Sequence, residues 1–346
     1  MPTPIHNASC KNIKAITLIS GGLDSILAAE VIKEQGIDII PLNFEIPFCH
    51  RVKKNSSQSK NRLVLVAGKL GKELKVIDVS EDFLKLLKNP RYGFGANMNP
   101  CIDCKILMLT KAKELMKEWD AAFVVTGEVL GQRPMSQHKE ALLNIAKRAG
   151  LEGLVLRPLS AKVLPETTPE KEGWVRRDKL LDFSGRGRRR QIELAQELGI
   201  KEYSQPAGGC LLTDMEFSKR LKDIISHQEL NIDNVELLKF GRHFRISGKA
   251  KLVVGREEKE NEQLINLAKE NDYLFSPDNE LAGPTSLGRG VFNEELVRLS
   301  CRITSSYCDH NGKINKRIIY RMLPDKEERT LEVSPIEKTQ LLSIRI

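Results

Sequence analysis

Residues Ser20-Gly21-Gly22-Leu23-Asp24-Ser25 place two glycines, two hydroxyls and a carboxylate between an apolar run and a segment of helical spacing. The run Ala15-Ile16-Thr17-Leu18-Ile19 reads as a buried strand, and Ile26–Ile32 reads as helix. A polar turn between a strand and a helix N-terminus makes an anion site, because free backbone N–H groups and the helix dipole point at it. Gly21 and Gly22 let backbone approach a phosphate, Ser20 and Ser25 add donors, and Asp24 caps the helix or helps hold a metal ion. No Gly-Lys-Ser/Thr follows, so the stretch is not a Walker loop. The plain alternative is a glycine turn with Asp24 as an ordinary cap.

Three other stretches carry chemistry. In Asn99-Pro100-Cys101-Ile102-Asp103-Cys104-Lys105 the two cysteines share one face of a helix start, where the dipole and Lys105 lower thiol pKa. Such a pair is redox-active, binds zinc, ligates an iron–sulfur cluster or is inert. In Pro206-Ala207-Gly208-Gly209-Cys210-Leu211-Leu212 two glycines expose backbone beside a thiol, which is reactive, ligating or a small buried hydrophobe. In Thr126-Gly127-Glu128-Val129-Leu130-Gly131-Gln132, followed by Ser136-Gln137, Gly127 and Gly131 permit a tight loop. There Gln132, Ser136 and Gln137 offer neutral hydrogen bonds to a nucleotide, or merely cap a strand.

The elements that must position these groups alternate. Strands are expected at Ala15–Ile19, Ile37–Asn43, Leu74–Val79, Ala122–Thr126 and Leu154–Arg157. Helices are expected at Ser25–Gln35, Ser59–Leu70, Glu81–Leu87, Ile102–Glu118, Lys139–Ala149 and Arg189–Leu198. That alternation predicts an α/β fold with a doubly wound, mostly parallel sheet, its ligand beyond the carboxyl ends of the strands. The thiols of Cys101, Cys104 and Cys210 are expected at that rim. After Cys210 a helix, Glu216–Ile225, precedes shorter runs at Arg242–Ile246, Lys251–Gly255 and Tyr273–Phe275, with a charged helix at Glu257–Glu270. The expected division is a domain over 1–213, a linker helix over 214–234, a smaller α+β domain over 235–330 and a charged tail over 331–346. Gly283-Pro284 and Gly288-Arg289-Gly290 read as loops.

The 346 residues, 40% hydrophobic, suffice for two cores, and no apolar run approaches the ~20 residues that span a bilayer. The N-terminus lacks a secretory pattern, which reads as a cytoplasmic protein without a membrane partner. A net charge of +9 favours a polyanionic partner. Seven unevenly spaced cysteines do not form a disulfide framework, and Cys10, Cys49, Cys301 and Cys308 receive no role.

The string SGGLDS resembles the PP-loop of ATP pyrophosphatases, enzymes of the adenine nucleotide alpha hydrolase-like fold that cleave ATP between the α- and β-phosphates. TGEVLGQ with its SQ resembles a motif of 4-thiouridine synthases, Val155-Leu156-Arg157-Pro158-Leu159 resembles another, and Cys210 stands where that family carries a thiolation cysteine. NPCIDCK is similar to the catalytic-cysteine motif of tRNA 2-thiouridylases, with Cys104 at the matching position. Together these span roughly 14–213. The resemblance implies catalytic roles for Asp24, Cys104 and Cys210. It implies ATP and Mg2+ held through Ser20, Gly21, Gly22, Leu23, Asp24, Ser25, Gly127, Gln132 and Gln137. CxxC plus a distant third cysteine also resembles cluster-dependent thiolases, which implies a 4Fe–4S cluster on Cys101, Cys104 and Cys210. The implied sulfur donor is inorganic sulfide or a persulfide-carrying protein. The chain departs from 4-thiouridine synthases in having little room for an N-terminal RNA-binding domain, no rhodanese after Cys210, and extra sequence through Glu166–Asp182.

The cluster Arg186, Arg188, Arg189 and Arg190, extended by Arg176 and Arg177, suits a phosphate backbone or is a solvated basic face. Residues from Leu238 to Arg245 and from Val254 to Asn261 resemble the RNA-binding domain of NFACT proteins, which implies tRNA contact through Arg242, Arg245 and Arg256. The expected function is ATP-dependent tRNA uridine thiolation. The alternatives are an amidotransferase or ligase of the same fold acting on a small molecule, and a non-catalytic RNA-binding protein.

Overall fold

The computed structural model describes residues 13–48, 63–65, 67–201, 203, 210–309 and 314–346. The chain divides into two units, Met1–Leu211 and Leu212–Ile346.

The first unit is built on strands β1 (Lys14–Leu18), β2 (Asp38–Glu45), β3 (Lys75–Asp78), β4 (Phe123–Val125) and β5 (Val155–Leu156). They form one parallel sheet in the order β3-β2-β1-β4-β5. Its helices are α1 (Leu23–Lys33), α2 (Ser80–Lys88), α3 (Cys101–Glu118), α4 (Lys139–Arg148) and α5 (Arg189–Glu197). Period-two alternation divides the core between the sheet's faces. Ala15, Phe123 and Val125 pack with Leu27, Ile32 and Ala195 of α1 and α5. Ile16 and Val124 pack instead with Leu109 and Ile145 of α3 and α4. Helices on both faces make the sheet doubly wound, as expected. The order reverses between β1 and β4, and this switch point opens the crevice in which such sheets bind ligands. Of the expected helix Ser59–Leu70, residues 59–62 and 66 lie outside the described residues.

The second unit carries α6 (Met215–Ser226), α7 (Ile232–Leu237), β6 (Arg242–Ser247), β7 (Ala250–Val254), α8 (Glu258–Leu267), β8 (Tyr273–Pro277), β9 (Ser286–Gly290), α9 (Glu294–Ser305), β10 (Lys316–Met322) and β11 (Arg329–Val333). Its antiparallel sheet runs β11-β10-β8-β9-β7-β6. Phe244, Leu252, Phe275 and Ile318 meet Val297 and Cys301 of α9 on one face. Val253, Leu274 and Leu287 meet Leu237 and Leu264 on the other.

Three expectations are corrected here. The helix read as a linker buries Phe217, Leu221 and Ile224, so α6 belongs to the second unit. The segment read as a charged tail contributes Val333, Ile336 and Leu341 to the core, and Ile344 accepts a hydrogen bond from Arg245 N at 2.9 Å. Its charges alternate with apolar residues and so conceal a strand. Gly288-Arg289-Gly290 is not a loop but part of β9. A Cβ on Gly288 would lie 2.5 Å from the Phe292 ring, so the glycine makes room for an aromatic side chain.

Candidate active site

The turn after β1 is shaped by its own side chains. Gly21 takes φ +70°, the left-handed region, and Gly22 starts α1 in an extended conformation with no side-chain cap. Ser25 Oγ donates to Gly22 O at 2.8 Å and accepts from Ser20 N at 3.2 Å. The two serines therefore fold the loop. Asp24 does not cap the helix. Its Oδ2 accepts from Gln132 Nε2 at 3.1 Å and from an Arg188 guanidinium nitrogen at 3.2 Å. Asp24 Oδ1 is buried with no hydrogen-bond partner among the described residues. A buried carboxylate oxygen left unmatched is what a Mg2+ ion needs, so the site fits that ion.

The loop after β4 closes the other wall. A Cβ on Gly127 would lie 2.5 Å from both Asp24 C and Ser25 N, so only glycine lets the β4 end meet the start of α1. Gly131, at φ +76°, donates its N–H to Gln137 O at 2.6 Å and folds the loop back. Gln137 is buried and its Oε1 has no partner among the described residues. Gly127 and Gln132 thus meet Ser20–Ser25 along one crevice, and Gln137 lies in the same loop as Gln132.

Glu128, next to Gly127, was not singled out by residue type and spacing. It pairs with Lys105 of α3 and with Arg157, whose Nε lies 3.0 Å away. Burial works against this carboxylate, yet the charges of Lys105 and Arg157 outweigh it and hold its pKa down at about 2. Arg157 follows β5 and also donates to Leu142 O at 3.1 Å. The triad ties α3, β4 and β5 together at the crevice. Opposite charges just past adjacent strand ends were its sequence signal. Lys105 is consequently paired to Glu128 beside the CxxC pair.

Cys101 is the first residue of α3, and its thiol donates to Ser136 Oγ at 3.2 Å, in the loop after β4. Cys104 follows one turn later, and Asp103 between them accepts from Arg91 N and Tyr92 N. Cys210 Sγ donates to Phe48 O at 3.4 Å, beyond the end of β2. These thiols therefore lie past carboxyl ends of the sheet's strands. Among the described residues, however, no three His, Cys, Asp or Glu side chains stand close enough to hold a metal ion. The 4Fe–4S cluster expected on Cys101, Cys104 and Cys210 thus has no gathered ligand set among the described residues. Pro206–Gly209, Cys10 and Cys49 lie outside the described residues. Cys301 and Cys308 are core thiols, which burial pushes up to about 12 and about 11.

The expected RNA-contact arginines separate into groups. Arg186 is exposed, Arg189 pairs with Glu193, and Arg190 pairs with Asp182 over the Phe183 ring. Arg188 turns inward to Asp24 and belongs to the crevice. In the second unit Arg242 lies over Tyr307, and Arg256 pairs with Glu260. Arg245 is only 13% exposed and is held by both Asp223 and Glu229, so its task is to join β6 to α6. It points away from the Phe244 face by strand alternation.

Residues 11–162 match the family described as "Thiamine biosynthesis protein (ThiI)", and residues 241–344 match "NFACT protein RNA binding domain". A probable tRNA sulfurtransferase of Thermococcus kodakarensis is 31% identical over 150 residues, 42% of this chain and 36% of that protein. A tRNA-specific 2-thiouridylase of Thermoanaerobacter is 26% identical over 230 residues, 62% of this chain and 59% of that protein. The chain therefore spans well under two thirds of the length of these curated relatives. A solved 4-thiouridine synthetase–RNA complex with bound ATP superposes with a TM-score of 0.39 at 20% identity, covering 64% of this chain and 53% of that one. No helix among the described residues is long and apolar enough to cross a membrane. The chain thus joins a unit similar, over 11–162, to the ThiI family to a second unit similar, over 241–344, to the NFACT RNA-binding domain.

Proposed function

We propose that the protein is an ATP-dependent tRNA uridine thiolase. The observation that carries this reading is the crevice in which Ser20–Ser25, Gly127, Gln132 and Asp24 converge, with Asp24 Oδ1 left for a cation. The sulfurtransferase and thiouridylase relatives supply the reaction class.

In this reading the amides at the start of α1 and the Ser20 and Ser25 hydroxyls hold the phosphates of ATP. Asp24 would hold Mg2+, which when bound would supply positive charge beside the pyrophosphate leaving group. A uracil carbonyl oxygen attacks the α-phosphate, and the adenylated oxygen becomes a good leaving group. Inorganic sulfide then adds at the activated ring carbon and displaces AMP. Where sulfur arrives as a persulfide on Cys210, its outer sulfur attacks that carbon and AMP departs. Cys104 then releases the thiouridine by closing a disulfide with Cys210 that a thiol reductant reopens. The chain's main contribution is positioning and charge stabilisation. The sulfur enters as inorganic sulfide or from a persulfide-carrying protein. Arg186, Arg189 and Arg190 in the first unit, and Arg242 and Arg256 in the second, contact the tRNA backbone.

The test is unmodified tRNA incubated anaerobically with protein, ATP, Mg2+, a thiol reductant and, in parallel, sulfide or a persulfide-carrying protein, followed by mass spectrometry of the digested nucleosides. An ATP-dependent thiouridine absent with Cys210→Ser supports the reading. AMP release with a small-molecule acceptor and no thionucleoside would replace it by the ligase alternative.

A further inference from the structure

We propose that Arg188 is a catalytic residue, one that takes up the negative charge of the pyrophosphate leaving group once ATP and its metal ion occupy the crevice. This rests on the ATP reading of that site and assigns it a residue outside the stretch that matches ThiI, which ends at 162.

The position of Arg188 is built rather than incidental. Ser184 bridges to Leu130, and Gly185 N donates to Leu130 O at 2.7 Å. A Cβ on Gly131 would lie 3.3 Å from Gly185 N, so the two loops are in close contact. The arginine-rich segment is therefore laid along the β4 loop, and Arg188 reaches Asp24 across 164 positions of sequence.

The ion pair is incomplete on both sides. Arginine and a carboxylate favour two parallel hydrogen bonds. Here, among the described residues, the guanidinium meets only Asp24 Oδ2, at 3.2 Å, and that oxygen is shared with Gln132. Asp24 Oδ1 is buried without a partner among the described residues, and so is Arg188 Nε. A buried acceptor and a buried donor left unmatched on neighbouring groups cost free energy until something satisfies them. They do not satisfy each other. A metal-bound polyphosphate offers a cation to the first and anionic oxygens to the second.

The chemistry follows. As the uracil oxygen bonds to the α-phosphorus, the bond from that phosphorus to the bridging oxygen breaks. Pyrophosphate leaves with the electron pair. Arg188 stays protonated throughout and gives its N–H groups to the oxygens that gain charge.

The experiment compares wild type, Arg188→Gln and Arg188→Lys as full-length protein. Titration calorimetry with MgATP, Mg-pyrophosphate and AMP is combined with steady-state pyrophosphate release. Arg188→Gln is expected to bind MgATP and pyrophosphate about tenfold or more weakly and AMP unchanged, and to lower kcat by about 10²–10³. Arg188→Lys keeps the charge without the fork, and should fall between the two. Wild-type affinities and kcat in Arg188→Gln would overturn the assignment, as would an equal loss of AMP binding, which marks a structural role. If Arg188→Gln failed to fold, the lysine variant would decide: unchanged kcat and pyrophosphate affinity would overturn the proposal. Failure of the wild-type protein to bind MgATP would overturn the ATP reading itself, a result separate from any difference among variants.

Discussion

Replacing Glu128 with glutamine removes the one negative charge of a buried triad and leaves Lys105 and Arg157 without their counter-ion. Their side chains are 16% and 4% exposed, so water can rescue only the lysine in part. Removing one partner of a buried pair costs about 3–5 kcal/mol, and partial exposure of Lys105 places this case near the lower end. Lys105 and Arg157, outweighing burial, hold the pKa of Glu128 at about 2 in the folded protein against an ordinary 4.5, a difference that corresponds to about 3 kcal/mol. Because the folded value is depressed, the contribution is fully present above 4.5 and is lost as pH falls through the folded value. The protein's two tryptophans, Trp119 and Trp174, both lie in the first unit, so fluorescence during urea unfolding reports on it selectively. Wild type should exceed Glu128→Gln by about 3 kcal/mol at neutral pH, with the gap closing between about pH 4.5 and 2. A gap below about 1 kcal/mol, or one indifferent to pH, would refute the reasoning, because exposed pairs contribute no more than that.

Other consequences are equally specific. Gly127→Ala forces a Cβ to within 2.5 Å of the α1 backbone, so MgATP binding should fall at least tenfold in calorimetry. Lys251 is buried in β7, and burial, aided by Arg245 and Arg289, pushes its amine down to about 8. The unfolded chain therefore holds its proton up to a higher pH, and stability of the second unit should rise as pH climbs from about 8 to 10.5. Lys251→Met should flatten that rise and stabilise the unit by up to about 3 kcal/mol at neutral pH, as read by circular dichroism melts. For tRNA binding, Arg242→Ala should reduce the slope of log K against log salt by about 0.7–0.9. Arg245→Ala should instead lower the melting temperature and leave that slope intact.

The first unit was legible because its strands and helices differ sharply in period. Ala15–Ile19 and Ala122–Thr126 are continuous apolar runs, as strands buried on both faces must be, and each delivers a glycine turn to the same edge. What spacing concealed was long-range pairing. Nothing near Arg188 distinguishes it from Arg186, Arg189 or Arg190; only the packing of two loops turns it toward Asp24. Arg245 likewise looked like a surface cation, but its register in β6 places it against Asp223 and Glu229. In the second unit, glycines inside β9 and charges interleaved through β11 imitate loop and tail. The cysteines show the same limit. Their residue type and rim position were foreseeable, but their partners, Ser136 for Cys101 and the Phe48 carbonyl for Cys210, come from loops distant in sequence.

The central claim is that the crevice adenylates a uracil carbonyl. The most direct measurement uses tRNA whose uracil carbonyls carry heavy oxygen, incubated with ATP, Mg2+ and sulfide, with the released AMP weighed by mass spectrometry. The account predicts AMP that has gained one heavy oxygen for each thiouridine formed, and none with Asp24→Ala. Thiouridine accompanied by unlabelled AMP would contradict it, since the oxygen would then have left without ever being bonded to the α-phosphate.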